Sequence, residues 1–241
     1  MNPYLRTPQA IGGNATRTIV QVLGAAIVTG HYDGRAFPTE KELAEQFSAA
    51  RTIVREAVKM LSAKGLITSR PRQGIRVAPD DAWNLFDPDV LGWLMERRFS
   101  PHLLVEFTEM RLAVEPAAAA LAAAQATEAH KAAISEAVAR MYAAERGADD
   151  DLAADIAFHL AVIEASGNRF LRQTRVMIAT ALTISIRYTN QVKGVKRASA
   201  ADHEAVAQAI VSGQPDVARR VMFSLLEGAL DLVKSQLPAP S

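Results

Sequence analysis

Apolar positions between residues 15 and 29 fall at Ile19, Val20, Val22, Leu23, Ala26 and Ile27, a stripe with helical spacing that Gly30 closes before a turn through 31–34. Thr39-Glu40-Lys41-Glu42 fits a capping box, in which hydroxyl and carboxylate satisfy opposite first-turn amides, and predicts a short helix to about Phe47. After a Ser-Ala-Ala turn, Ile53, Val54, Ala57, Val58 and Leu61 form the inner face of a third helix, from about Arg51 to Lys64, which Gly65 ends. Two short β-prone runs, 66–69 and 74–77, flank Arg70-Pro71-Arg72-Gln73 and predict a hairpin with a basic tip. Residues 79–100 hold Pro79, Pro88, both tryptophans and several Asp, and read as a linker with apolar anchors. Beyond Ser100-Pro101, a good N-cap and N1 pair, the pattern is helical throughout. Helices are expected near 101–123, 127–146, 149–166, 168–191, 199–212 and 215–235, with stops at Gly147, Gly167 and Gly213.

The fold class is therefore mainly α. A winged helix-turn-helix over 12–79 and a linker over 80–100 precede a bundle of six to seven helices over 101–237, able to enclose a pocket. Composition fits two modest domains: 241 residues, 49% hydrophobic. No apolar run is long enough to cross a bilayer, the start carries no secretory pattern, and there is no cysteine. A cytoplasmic protein without thiol chemistry or membrane attachment is expected. The net charge of +1 hides an asymmetry. Residues 1–80 carry 11 Lys and Arg against 6 Asp and Glu, while residues 81–241 carry 16 against 20. A basic first third suits a nucleic-acid-binding module.

The candidate chemistry follows that division. In the third helix Arg51 and Arg55, one turn apart, point to one side and can grip guanine or phosphate, and Thr52 can meet phosphate or a thymine methyl. Arg72 and Gly74 at the wing tip can lie along the neighbouring groove or backbone. The same residues also suit a basic three-helix module that binds protein. Within the bundle, Asp155 and His159 share a helical face among core residues, and His203 stands on another helix. Either the first two form an ordinary polar pair, or all three hold a divalent metal, for which carboxylate and imidazole are suitable donors. Arg111 either pairs with Glu115 on its own face or holds a ligand carboxylate in a two-pronged contact.

Phe37-Pro38-Thr39-Glu40-Lys41-Glu42-Leu43-Ala44, Arg51-Thr52-Ile53-Val54-Arg55-Glu56-Ala57, Gly65-Leu66-Ile67 and Arg70 to Pro79 closely resemble the GntR-family winged helix. The rest resembles the FadR subgroup with its helical FCD domain, through Glu109 to Pro116, Asp155 with Phe158-His159, Ala165-Ser166-Gly167-Asn168, and His203 leading into Val206 to Ile210. The resemblance implies DNA contacts from Lys41, Arg51, Thr52, Arg55 and Gly74. It also implies a metal on Asp155, His159 and His203, with an effector carboxylate reaching metal and Arg111. Two positions depart from the pattern. Ala50 replaces a polar residue before the first helix-three Arg, and Leu225 stands where a fourth metal-binding His would align. Residues 82–94 further resemble the sugar-acid operon repressors of that subgroup.

The expected protein is a homodimer on a palindromic double-stranded operator, released when a small carboxylate such as an aldonate binds at a three-ligand metal site. Zn is the expected metal, with Mn or Ni as alternatives, and Asn168 or Arg187 are expected to meet the effector's hydroxyls. Competing readings are a regulator that senses another acid or an acyl-CoA without metal, and a metal-dependent enzyme. Repression is the expected direction; activation is also compatible with the sequence, since direction depends on operator position.

Overall fold

The computed structural model describes residues 15–70, 74–96, 101–189 and 199–235. The chain divides into two compact units that part between Phe99 and Ser100. The first contains α1 (Ala15–Val28), α2 (Glu40–Gln46), α3 (Arg51–Ala63), β1 (Ile67–Arg70), β2 (Gly74–Val77) and α4 (Pro88–Glu96). The second is built from α5 (Pro101–Gln125), α6 (Glu128–Glu145), α7 (Asp151–Ala165), α8 (Arg175–Thr189), α9 (Ala200–Val211) and α10 (Pro215–Ser235).

In the first unit the capping box at Thr39 forms as the sequence implies: Glu42 N donates to the Thr39 hydroxyl, and the Glu42 carboxylate accepts from Thr39 N. Ile19, Leu23 and Ile27 of α1, Leu43 of α2, and Val54 and Leu61 of α3 are almost completely buried. β1 and β2 pair antiparallel, with Ile67 opposite Val77 and Arg70 opposite Gly74. The turn between them, and with it Arg72, lies outside the described residues.

Residues 80–96, read from the sequence as a linker with apolar anchors, fold against this unit. The Asp87 carboxylate accepts from the amides of Asp89 and Val90 and so caps α4, whose first residue is Pro88. Val90, Leu91, Trp93 and Leu94 are buried, and α4 packs on α1. Trp93 Nε1 donates to Gln21 Oε1 at 3.1 Å, and Gln21 Nε2 donates to Asp89 Oδ1 at 3.0 Å. Lys64, the C-cap of α3, donates to both Asp87 oxygens at 2.8 Å and to Asp89 Oδ2 at 2.7 Å. These ties bind α4 to both α1 and the end of α3.

The close approach needs Gly24, since a Cβ there would fall inside the Trp93 ring, which is rigid and walled in. Gly24→Val is accordingly expected to destabilise the first unit by about 1–3 kcal/mol through overpacking. Urea unfolding of the full chain followed by circular dichroism checks this; a variant as stable as the parent would refute the close-packing account.

In the second unit α5 touches α7, α8, α9 and α10, while α6 lies between α7 and α9. The alanine run is the reason such approach is feasible: Ala118, Ala119, Ala122 and Ala123 sit in one core with Ile134, Phe158, Ile163, Ile178, Met222 and Leu226. Thr127, Asp150 and Ser199 cap α6, α7 and α9. Gly147, Gly167 and Gly213 end helices with positive φ, as C-cap glycines do. The single helix expected over 168–191 is instead a turn, a short 3-10 segment at Leu171–Thr174, and α8. No described helix is long and apolar enough to cross a membrane.

Candidate functional site

α7 carries Asp155 and His159 one turn apart, and α9 presents His203 beside them. One donor atom from each of the three lies within 4.8 Å of the others. Asp155 Oδ1 is 3.1 Å from His203 Nε2 and 3.5 Å from His159 Nε2. Each imidazole is oriented from behind. His203 Nδ1 donates to the Ser199 carbonyl at 2.9 Å, and His159 Nδ1 faces Glu115 Oε2 at 2.5 Å. Both Nδ1 atoms are therefore engaged as donors, which leaves both Nε2 atoms turned toward one carboxylate oxygen. Two lone pairs and an anionic oxygen directed at one point require protons or a metal cation between them. The donor set, one carboxylate and two imidazoles with anchored second nitrogens, fits a divalent transition metal. Phe158, completely buried, stands edge-on to both rings, with centroids 5.4 Å from His159 and 5.0 Å from His203.

Arg111 completes the cluster from α5. Its Nε donates to Glu115 Oε1 at 2.6 Å, and its Nη2 lies 3.2 Å from His159 Nε2. Arg111 pairs with Glu115, one of the two readings left open by the sequence, and it also lines the cavity described below. Glu115 is 1% exposed and holds Arg111 with one oxygen and His159 with the other. Burial alone would push its carboxyl up, but the Arg111 guanidinium and the His159 ring outweigh it and hold the pKa at about 2. Burial likewise opposes the charge on Asp155, and the two histidines against it bring its carboxyl well below the usual range. For His159, burial disfavours protonation and the Glu115 carboxylate more than compensates, so its pKa is raised.

The cluster forms the polar end of a cavity of about 500 Å³. Leu182 of α8 and Val221, Leu225 and Leu226 of α10 give it apolar walls, and Ser185 and Ser224 add hydroxyls. Leu225, the position where the family pattern would put a fourth histidine, thus faces the same cavity. Asn168 does not line it. Its carboxamide oxygen accepts from the amides of Phe170 and Leu171, closing the turn after α7. Arg187 falls on α8, with its side chain outside the described residues. Glu115, which the sequence offers only as a partner for Arg111, also holds the His159 ring. Its helical spacing from Arg111 is visible in the chain, whereas its contact with His159, 44 positions away, exists only in the fold.

On the first unit, Arg51, Thr52, Arg55 and Lys41 are all exposed. Arg51 and Thr52 open α3. Arg55 approaches Glu40 at 3.6 Å and Lys41 approaches Glu45 at 4.0 Å, both on the surface. Gly74, at the start of β2, has φ +74° and open space around it. α3 therefore offers an exposed basic face at its N-terminal end, with the hairpin following it in the chain.

Residues 15–77 match the family described as bacterial regulatory proteins, gntR family, and residues 106–228 match the FCD domain. The galactonate operon transcriptional repressor of Escherichia coli (strain K12) is 39% identical over 168 residues, covering 69% of this chain and 73% of that protein. The HTH-type transcriptional regulator YieP of the same organism is 32% identical over 216 residues, covering 88% and 93%. Among solved structures, Streptococcus agalactiae GntR shares the fold with a TM-score of 0.50 at 21% identity, over 90% of this chain and 99% of that one.

Proposed function

Because the chain belongs to the GntR family of bacterial transcription regulators and carries an FCD domain, we propose that it represses a sugar-acid operon and leaves its operator when an aldonate-like acid binds the helical unit. It is a DNA-binding regulator and not an enzyme. The observation that carries the finer reading is the convergence of Asp155, His159 and His203 beside Arg111 in one cavity. Similarity to the galactonate operon repressor adds the ligand class.

In this reading Asp155, His159 and His203 hold a divalent ion, Zn before Mn or Ni, which when bound supplies a Lewis-acidic point for carboxylate oxygens. Arg111, kept rigid by Glu115, presents its guanidinium to the same carboxylate. Ser185 and Ser224 meet ligand hydroxyls. Two copies of the chain place two α3 helices on a palindromic operator, with Arg51, Thr52, Arg55, Lys41 and the wing at Arg72 and Gly74 against the DNA. Release follows only if the acid binds more tightly to an arrangement that does not fit both half-sites.

Fluorescence anisotropy on a labelled operator fragment tests both halves. Adding galactonate to the metal-loaded repressor is expected to free the fragment, and removing metal with a chelator to abolish the response. Release that survives in Asp155→Ala with metal removed would overturn the sensing site. Arg51→Ala is expected to weaken operator binding by about 1–3 kcal/mol per half-site, the worth of one two-pronged base contact. Unchanged affinity would remove α3 from the interface.

A further inference from the structure

The two imidazoles of the cluster are held from behind by different means. His159 Nδ1 faces the Glu115 carboxylate directly at 2.5 Å, whereas His203 Nδ1 donates to the Ser199 carbonyl at 2.9 Å. That carbonyl belongs to the peptide unit joining Ser199 to Ala200, and the N–H of the same unit donates to Glu145 Oε1 at 2.8 Å. In a trans peptide the N–H and C=O point in opposite directions, so such a unit links one hydrogen bond to the next and lets them polarise each other. A relay therefore runs from the Glu145 carboxylate through one peptide unit to the His203 ring, whose Nε2 lies 3.1 Å from Asp155 Oδ1.

Glu145 stands where its own helix does not favour it. It is the last residue of α6, the negative end of that helix dipole, and its carboxylate meets the first turn of α9, a positive end. The capping box of α9 occupies the amides of Ser199 and Asp202, and Glu145 accepts from the Ala200 amide between them. One turn earlier on α6, the Tyr142 hydroxyl donates to Glu204 Oε2 at 2.6 Å, a separate tie between the two helices. α6 also packs on α7, so it borders both helices that supply the cluster.

We infer that Glu145 is a positioning residue for the proposed metal site: through the Ser199–Ala200 peptide it fixes the orientation of the His203 ring and the proton on its Nδ1, which leaves Nε2 as the donor to the metal. The inference rests on the sensing site proposed above and deepens it. Glu115 and Glu145 then have matching roles behind the two histidines, one by direct contact and one through the backbone. Outer partners of this kind orient a ligating imidazole and raise its basicity.

The test uses the full chain, isotope-labelled at its histidine nitrogens and loaded with zinc. Zinc affinity is read by competition with a chromophoric chelator, and the ring nitrogens by long-range proton–nitrogen NMR. Glu145→Ala is expected to weaken zinc binding by about three- to tenfold, the worth of one hydrogen bond and less than a direct partner carries. The Nδ1 resonance of His203 should shift, while that of His159, backed by Glu115, stays in place. Glu145→Gln keeps an oxygen that can accept from the Ala200 amide and should bind zinc within about twofold of the parent. The tie between Tyr142 and Glu204 is kept in both variants, and a thermal melt confirms the fold. Unchanged zinc affinity in Glu145→Ala, an equal loss in Glu145→Gln, or a shift of both histidines together overturns the relay and leaves the sensing site standing. A parent chain that takes up no zinc removes the sensing site, and the role of Glu145 with it.

Discussion

Replacing Glu115 by leucine is expected to destabilise the helical unit by about 3–5 kcal/mol, because it strands the Arg111 guanidinium, 4% exposed, without a counter-charge. Urea unfolding of the full chain measures this, and a loss under about 1 kcal/mol would show that the pair contributes little. Glu115→Gln separates the structural role from the orienting one. Its amide oxygen can still accept from Arg111 Nε, which donates to Glu115 Oε1 at 2.6 Å. Its NH2, however, would face His159 Nδ1 as a donor where a carboxylate now accepts. The imidazole must then carry its proton on Nε2, the atom directed at Asp155. Metal affinity, read by competition with a chromophoric chelator, should fall by about 10–100-fold, the range typical of lost outer partners. The carboxamide should lose less stability than leucine. A glutamine variant with unaltered metal affinity would show that Glu115 does not set the tautomer.

The second large effect is expected at Phe158. It is fully buried, and truncation to alanine removes a ring that packs in the bundle core and stands edge-on to both histidines. The expected cost is about 3–5 kcal/mol, from lost transfer energy and the cavity left behind. Phe158→Leu, which keeps most of the volume, should cost about 1.5 kcal/mol or less. Metal affinity should drop in the alanine variant even where the fold persists, since His159 and His203 then lose a common wall. Equal stability of the two variants would mean the site collapses around the gap without strain.

These expectations differ in how far the sequence alone supports them. The helix-turn-helix is legible because its signals are local. Thr39 with Glu42, the apolar spacing of Val54, Ala57 and Leu61, and Gly65 each act within a few residues of themselves. The cluster of Asp155, His159 and His203 is legible in part, as Asp155 and His159 share a turn of one helix. His203 is a candidate from another helix because the chain has only five histidines, and the family pattern then places it with them. What resists reading depends on contacts distant in the chain. Asp87-Pro88 is an ordinary helix start, yet the surrounding prolines and Asp residues suggest a linker, and only the burial of Trp93 against Gly24 reveals a packed helix. Asn168 stands in a family motif, which suggests a ligand contact. In the fold its oxygen is engaged by its own neighbours, Phe170 and Leu171.

The docking of α4 on α1 has an optical consequence. Trp83 and Trp93 are the chain's two tryptophans, and both belong to the unit that carries α3. The helical unit has tyrosines at 142 and 188 and no indole, so emission excited at the red edge of indole absorption originates entirely from the DNA-binding unit. The chain thereby carries its own reporter without any label, in the unit that does not contain the cavity. An acid seated between α5 and α10 that alters indole emission has sent its signal from one unit to the other, and stopped-flow fluorescence would time that passage directly.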